Sequence, residues 1–66
     1  MYGERIRVLR EERNLAQAQL AEALGVSQKN VSKYELELLD LNTGIIVKLC
    51  RFFAVTSDYL LGLSDY

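Results

Sequence analysis

The sequence predicts an all-α chain organised around a helix-turn-helix unit at about residues 17–35, and two observations carry that expectation. Apolar residues recur three and four positions apart along successive stretches, the period that lines one face of a helix. Between two such stretches, Gly25 and Ser27 supply a break and a restart. Glycine takes a positive φ at little cost and ends a helix cleanly, whereas a serine hydroxyl accepts from a free amide two or three residues on and starts one. Leu20, Ala21 and Leu24 form the stripe before the break, and Val31 and Tyr34 the one after it. Ala21 is small where two steeply crossing helices need their backbones close. Two short helices joined by a brief turn containing Gly make a helix-turn-helix.

In chain order, Tyr2–Arg13 reads as the first helix, with Tyr2, Ile6, Leu9 and Arg13 on one side and Arg10 at its margin. A cation half inside an apolar stripe is costly unless it finds a partner or snorkels out by its stem. Arg13, in the last turn, can snorkel or touch phosphate. Asn14 and Leu15 make the turn into the second helix. The third helix runs from Ser27 to Tyr34 and shows Gln28, Lys29, Ser32 and Lys33 outward, with no acid until Glu35. Asn42 or Thr43 caps the fourth helix, and Gly44 weakens its first turn. Ile45, Leu49, Phe52 and Phe53 line one side of it, with Ile46 at the edge and Lys48 and Arg51 facing water. The two Phe residues read as packing, not as a stacking platform for single strands. After a turn at Ala54 and Val55, Thr56 caps a fifth helix, Asp58 suits its dipole, and Gly62 ends it.

Sixty-six residues make one domain, 1–66, near the lower limit for folding alone. One Cys and no His leave no disulfide pair and no His-based metal site, so Cys50 reads as a small apolar residue. No apolar run approaches the roughly 20 residues that span a bilayer, no signal peptide is recognisable, and a cytoplasmic protein is expected. Phosphate-cradling Gly loops, paired Cys and a G-x-S-x-G turn are absent, and the carboxylates are scattered. We therefore expect no enzyme, no cofactor and no metal. The formal charge of −1 argues against strong non-specific binding to nucleic acid. Its distribution says more: residues 1–34 hold six of the eight Lys and Arg against four acids, and residues 35–66 hold two against five.

The outward face of the third helix suits a polyanion with readable edges. Gln bonds adenine bidentately, Lys donates to guanine O6 and N7, and either reaches phosphate. Any amphipathic helix also shows such residues to water, so the face alone does not decide. The run from Arg5 to Gly62 adds a likeness to that face. RIRVLREERNLAQAQLAEALGVSQKNVSKYE and VKLCRFFAVTSDYLLG together resemble the phage-repressor/Cro (Xre-type) helix-turn-helix family through QxxLA, LGVS, VSKYE and SDYLLG. The resemblance implies a compact five-helix, repressor-like DNA-binding domain acting in transcription regulation. It implies a third helix in the major groove, with Ser27, Gln28, Lys29, Ser32 and Lys33 closest to the DNA. Gln17 and the first amides of the second helix would grip a phosphate, and Arg10 would pair with Glu35. Val55, Thr56, Ser57 and Tyr59, helped by Leu63 and Tyr66, would make a homodimer contact, unless Tyr59 and Leu60 simply close the core. A dimer implies a near-palindromic double-stranded operator with half-sites about one helical turn apart.

The chain departs from that family in two places. Ala16 stands where the family has a Ser or Thr cap, forgoing roughly 1 kcal/mol. The segment 35–42 (ELELLDLN) replaces a basic loop, with Glu37 for the usual Gly and Leu41 for the usual Pro. A left-handed stop is then disfavoured, and nothing forces extended geometry at Asp40. If the third helix runs on, Leu38 and Leu41 extend its core stripe and Leu36 falls in line with Lys29. Two outcomes follow for the leucines. Either the loop keeps the family geometry and they fill core gaps, or Leu36 and Leu39 form an exposed patch for self-association or a protein partner. The second outcome would make the chain an interaction module with weakened DNA binding through residues 35–41. Either way, DNA affinity should fall below that of a relative with a basic loop.

Overall fold

The apolar stripes become helices in the computed structural model, which describes residues 1–65. In order these are α1 (Tyr2–Glu12), α2 (Gln17–Leu24), α3 (Gln28–Glu35), α4 (Thr43–Phe53) and α5 (Ser57–Leu60). Every helix contributes to one core of Ile6, Leu9, Leu20, Ala21, Leu24, Val31, Tyr34, Ile45, Leu49, Phe53 and Leu60. α2 and α3 pack against each other, with Ala21 buried on α2, and are joined through Gly25 at φ 72°. Leu60, fully buried, closes the core from α5, and Phe52 meets Phe53 edge-on at 5.0 Å.

All five helices stop in the same way. A residue at positive φ follows each one: Asn14 (56°), Gly25 (72°), Glu37 (59°), Ala54 (56°) and Gly62 (80°). The next amide then reaches back six residues' span, from Leu15 to the Arg10 carbonyl, Val26 to Ala21, Leu38 to Lys33, Val55 to Cys50 and Leu63 to Asp58. This bond occupies a carbonyl that the helix end leaves open. Asn tolerates the left-handed region, whereas Glu37 and Ala54 each carry a strain of about 1 kcal/mol.

Side chains from neighbouring helices occupy further open carbonyls. α1 ends at Glu12, one residue short of the expected Arg13. Arg13 neither lines the core nor waits for phosphate. Its guanidinium donates to the carbonyls of Phe52 (2.9 Å) and Phe53 (3.1 Å) and lies over both rings, capping the C-terminal end of α4. Lys48, although exposed, donates to the Leu24 carbonyl at the end of α2 (3.1 Å). Both place a cation where the helix dipole is negative. At the other end of α4, Asn42 is the cap, accepting from the Ile45 amide at 2.9 Å.

The segment after α3 combines both expected outcomes. Its backbone does make the left-handed stop, because Glu37 gains a compensating contact: its carboxylate accepts from the Gly3 amide in the first turn of α1 (3.1 Å). The Tyr2 hydroxyl donates to the Leu39 carbonyl nearby (3.3 Å). Since α3 ends at Glu35, Leu38 does not continue the core stripe. Leu36 and Leu38 are 66% and 72% exposed, Leu39 is at the edge of exposure, and only Leu41 packs against the core. A pair of substitutions separates strain from capping. Ala54→Gly should raise stability in urea by about 0.5–1 kcal/mol, whereas Glu37→Gly, which relieves the same strain but deletes the α1 cap, should leave it nearly unchanged.

Candidate nucleic-acid interface

The buried Val31 and Tyr34 and a tie from the end of α3 to α1 fix the side α3 turns outward. At its start Ser27 is the cap, its hydroxyl accepting from the Asn30 amide at 3.1 Å. Val31 and Tyr34 are buried beneath it, so Gln28, Lys29 and Lys33 are exposed and Ser32 is half-buried. At its end the Glu35 carboxylate receives Arg10 bidentately, Nε to Oε2 at 2.6 Å and Nη2 to Oε1 at 3.1 Å. The two side chains are 13% and 4% exposed. The remaining guanidinium arm donates to the Leu15 carbonyl at 2.8 Å. This hydrogen bonding to Glu35 raises the Arg10 pKa above its ordinary value, against the opposing effect of burial. Because Arg10 neutralises Glu35, the exposed side of α3 keeps the positive charge of Lys29 and Lys33.

Gln17 joins the same cluster. Its carboxamide nitrogen donates to Glu35 Oε1 at 3.2 Å, which leaves its second N–H available. The start of α2 lacks a side-chain cap, since the Ala16 methyl cannot accept. Half of a capping box is nevertheless present: Gln19 Oε1 accepts from the Ala16 amide at 2.8 Å. The Gln19 and Leu20 amides turn back to the Ala16 carbonyl, so those of Gln17 and Ala18 have no protein acceptor among the described residues. The open end of α2 therefore lies beside the cluster that anchors α3. Two donor sets, the face of α3 and the tip of α2, share one support.

The residues implicated in a dimer contact lie around α5. Thr56 is its cap, accepting from the Tyr59 amide at 3.1 Å, while Val55 and Tyr59 are half-buried and Ser57 is exposed. The Arg5 guanidinium sits 4.3 Å from the Tyr59 ring centre. Leu9, Ala54, Val55, Thr56, Tyr59 and Asp65 line a shallow groove there, and Leu63 projects beside it at 75% exposure. Tyr66 lies outside the described residues. Cys50 is half-buried on α4, and burial pushes its thiol pKa up, which disfavours the reactive thiolate. Among the described residues no group of acids and Cys could hold a metal ion, and no helix is long and apolar enough to cross a membrane.

The contacts of four positions were not foreseen from the sequence: the close packing of Gly3 and the helix-end bonds of Arg13, Glu37 and Lys48. Only Gly3 left a signal, being a poor helix former inside the first turn of a helix.

A short α2, a left-handed joint and a capped α3 tied to α1, with a cationic outward side, define a repressor-like helix-turn-helix domain. The Helix-turn-helix family model matches residues 6–60, and the chain belongs to that family. It is 38% identical over 65 residues to the uncharacterized HTH-type transcriptional regulator YobD of Bacillus subtilis, covering 98% of this chain and 58% of that one. It is 35% identical over 63 residues to the HTH-type transcriptional regulator ImmR of the same organism, covering 96% and 50%. The chain thus spans about half the length of these relatives. Among solved structures, the P22 c2 repressor in complex with a synthetic operator superposes with a TM-score of 0.86 at 32% identity, covering 91% of each chain.

Proposed function

We propose that this chain binds double-stranded DNA sequence-specifically and regulates transcription, acting as a cytoplasmic homodimer that represses by occupying a near-palindromic operator. The observation that carries this reading is the exposed, cationic side of α3 on a helix capped by Ser27, seated on Val31 and Tyr34 and tied to α1 through Glu35–Arg10. α3 enters the major groove, with Gln28 and Lys29 nearest the base edges because they stand at its N-terminal end. Ser32 and Lys33 follow along the same face. The second N–H of Gln17 and the open amides of α2 grip a phosphate. Val55, Thr56, Ser57 and Tyr59 meet their copies across the two-fold axis. The likeness to HTH-type regulators and to a repressor–operator complex supports the same reading. The acids Glu37 and Asp40 beyond the end of α3 lower the overall attraction for a polyanion.

The test uses an operator selected from random duplexes. Gln28→Ala and Lys29→Ala should each cost roughly 1–3 kcal/mol and relax preference at one base position. Lys33→Ala should weaken all sequences alike and flatten the dependence on salt. Equal and small effects of all three would remove α3 from the interface.

A further inference from the structure

The turn after α3 carries an apolar surface that DNA reading leaves unused. Leu36 and Leu38 are 66% and 72% exposed and Leu39 is 37% exposed, three leucines within four residues. Contiguous exposed apolar patches mark contact sites, whereas single scattered apolar residues do not. The surface is also held in shape. The Leu38 amide bonds the Lys33 carbonyl, Glu37 is tied to the Gly3 amide, and the Leu39 carbonyl is tied to the Tyr2 hydroxyl. A preformed turn loses little entropy on being covered.

The charges around it discriminate among possible occupants. Glu37 and Asp40 flank the leucines, and no Lys or Arg lies between Lys33 and Lys48. A DNA backbone is repelled by both acids. The same turn of a second copy brings two more acids and no Lys or Arg of its own, so it offers these acids no opposite charge. An amphipathic helix with Lys or Arg along its polar side satisfies both features, its apolar face on the leucines and its cations beside the acids. We infer that residues 36–40 dock a basic amphipathic helix of a partner protein. The site goes beyond DNA reading and does not require it: it adjoins Lys33, one turn before Leu36, but Gln28 and Lys29 stand two turns away at the other end of α3.

The probe is a short amphipathic helix made of Leu and Lys, titrated into the full chain labelled with 15N; the same peptide with Glu for Lys is the control. Binding of the Lys peptide should shift the amides of residues 36–40, and the Glu peptide should leave them unmoved. Leu36→Ser with Leu38→Ser, both at exposed positions, should weaken the Lys peptide by about tenfold or more. The double variant should keep the circular-dichroism spectrum, the affinity for a selected duplex and the sedimentation behaviour of the parent. Shifts centred elsewhere, or undiminished binding by the variant, would overturn the inference. Loss of duplex affinity in the variant would give the leucines to DNA, and a loss of self-association would give them to a second copy; either result overturns it as well.

Discussion

Arg10→Met is expected to destabilise the chain by about 3–5 kcal/mol, the usual result of leaving one partner of a buried ion pair without the other. Glu35 is 4% exposed and would keep only the single bond from Gln17, while the Leu15 carbonyl loses its donor. A domain of this length has a total stability of only about 3–10 kcal/mol, so much of the population should be unfolded. Glu35→Leu should behave similarly, because it strands a guanidinium that is 13% exposed. Combining Arg10→Met with Glu35→Leu should recover most of the loss, since an apolar pair of similar volume needs no desolvated charge. Urea unfolding followed by circular dichroism measures all three. The double variant separates two roles of the pair. It should fold yet bind a selected duplex more weakly, because Gln17 then has no carboxylate to orient it. Single variants that cost less than about 1 kcal/mol would place the pair among screened surface bridges and remove the anchor assigned to α3.

Gly3→Ala should cost about 3 kcal/mol, and its sign is as informative as its size. Helix propensity alone favours Ala over Gly by about 1 kcal/mol, so a helix packed against nothing would gain. Here a Cβ would stand 2.3 Å from the Glu35 carbonyl oxygen and 2.8 Å from the Glu37 Cγ. The obstacle nearest it is backbone at the end of α3, so relief requires α1 to move away from that end. The movement would also pull the Gly3 amide from the Glu37 carboxylate and strain the Arg10–Glu35 bond. A thermal or urea midpoint lower than the parent's reports this close approach, and a stabilised variant would contradict it.

How much of this was legible in the sequence depends on how local each cause is. The α-helices and most of the core follow from the three- and four-residue spacing of Ile6, Leu9, Leu20, Leu24, Val31, Ile45 and Leu49, and the α2–α3 joint follows from Gly25 with Ser27 behind it. These are properties of a few adjacent residues. Arg10 announced its need for a partner by lying within an apolar stripe, although only the family likeness pointed to Glu35. The stop at Glu37 was not legible, because the contact that offsets its strain comes from the Gly3 amide, 34 residues away. The same holds for Arg13 and Lys48, whose acceptors are helix-end carbonyls brought near by packing. Leu38 was misplaced as a consequence: with α3 ending at Glu35, the periodicity that pointed it inward no longer applied. In the candidate site, the outward residues of α3 were readable, whereas the bond from Gln17 to Glu35 was not, since it joins the first turn of one helix to the last turn of another.

That the outward side of α3 reads DNA is tested most directly by repeated selection from a pool of random duplexes at low salt, with the enriched sequences then determined. Recognition by a symmetric pair of α3 helices requires one near-palindromic sequence to emerge, with half-sites about 10 base pairs apart. Preference at one position in each half should then shift when the selection is repeated with Lys29→Ala. A pool that stays random, or an enriched sequence indifferent to Gln28 and Lys29, would contradict the assignment.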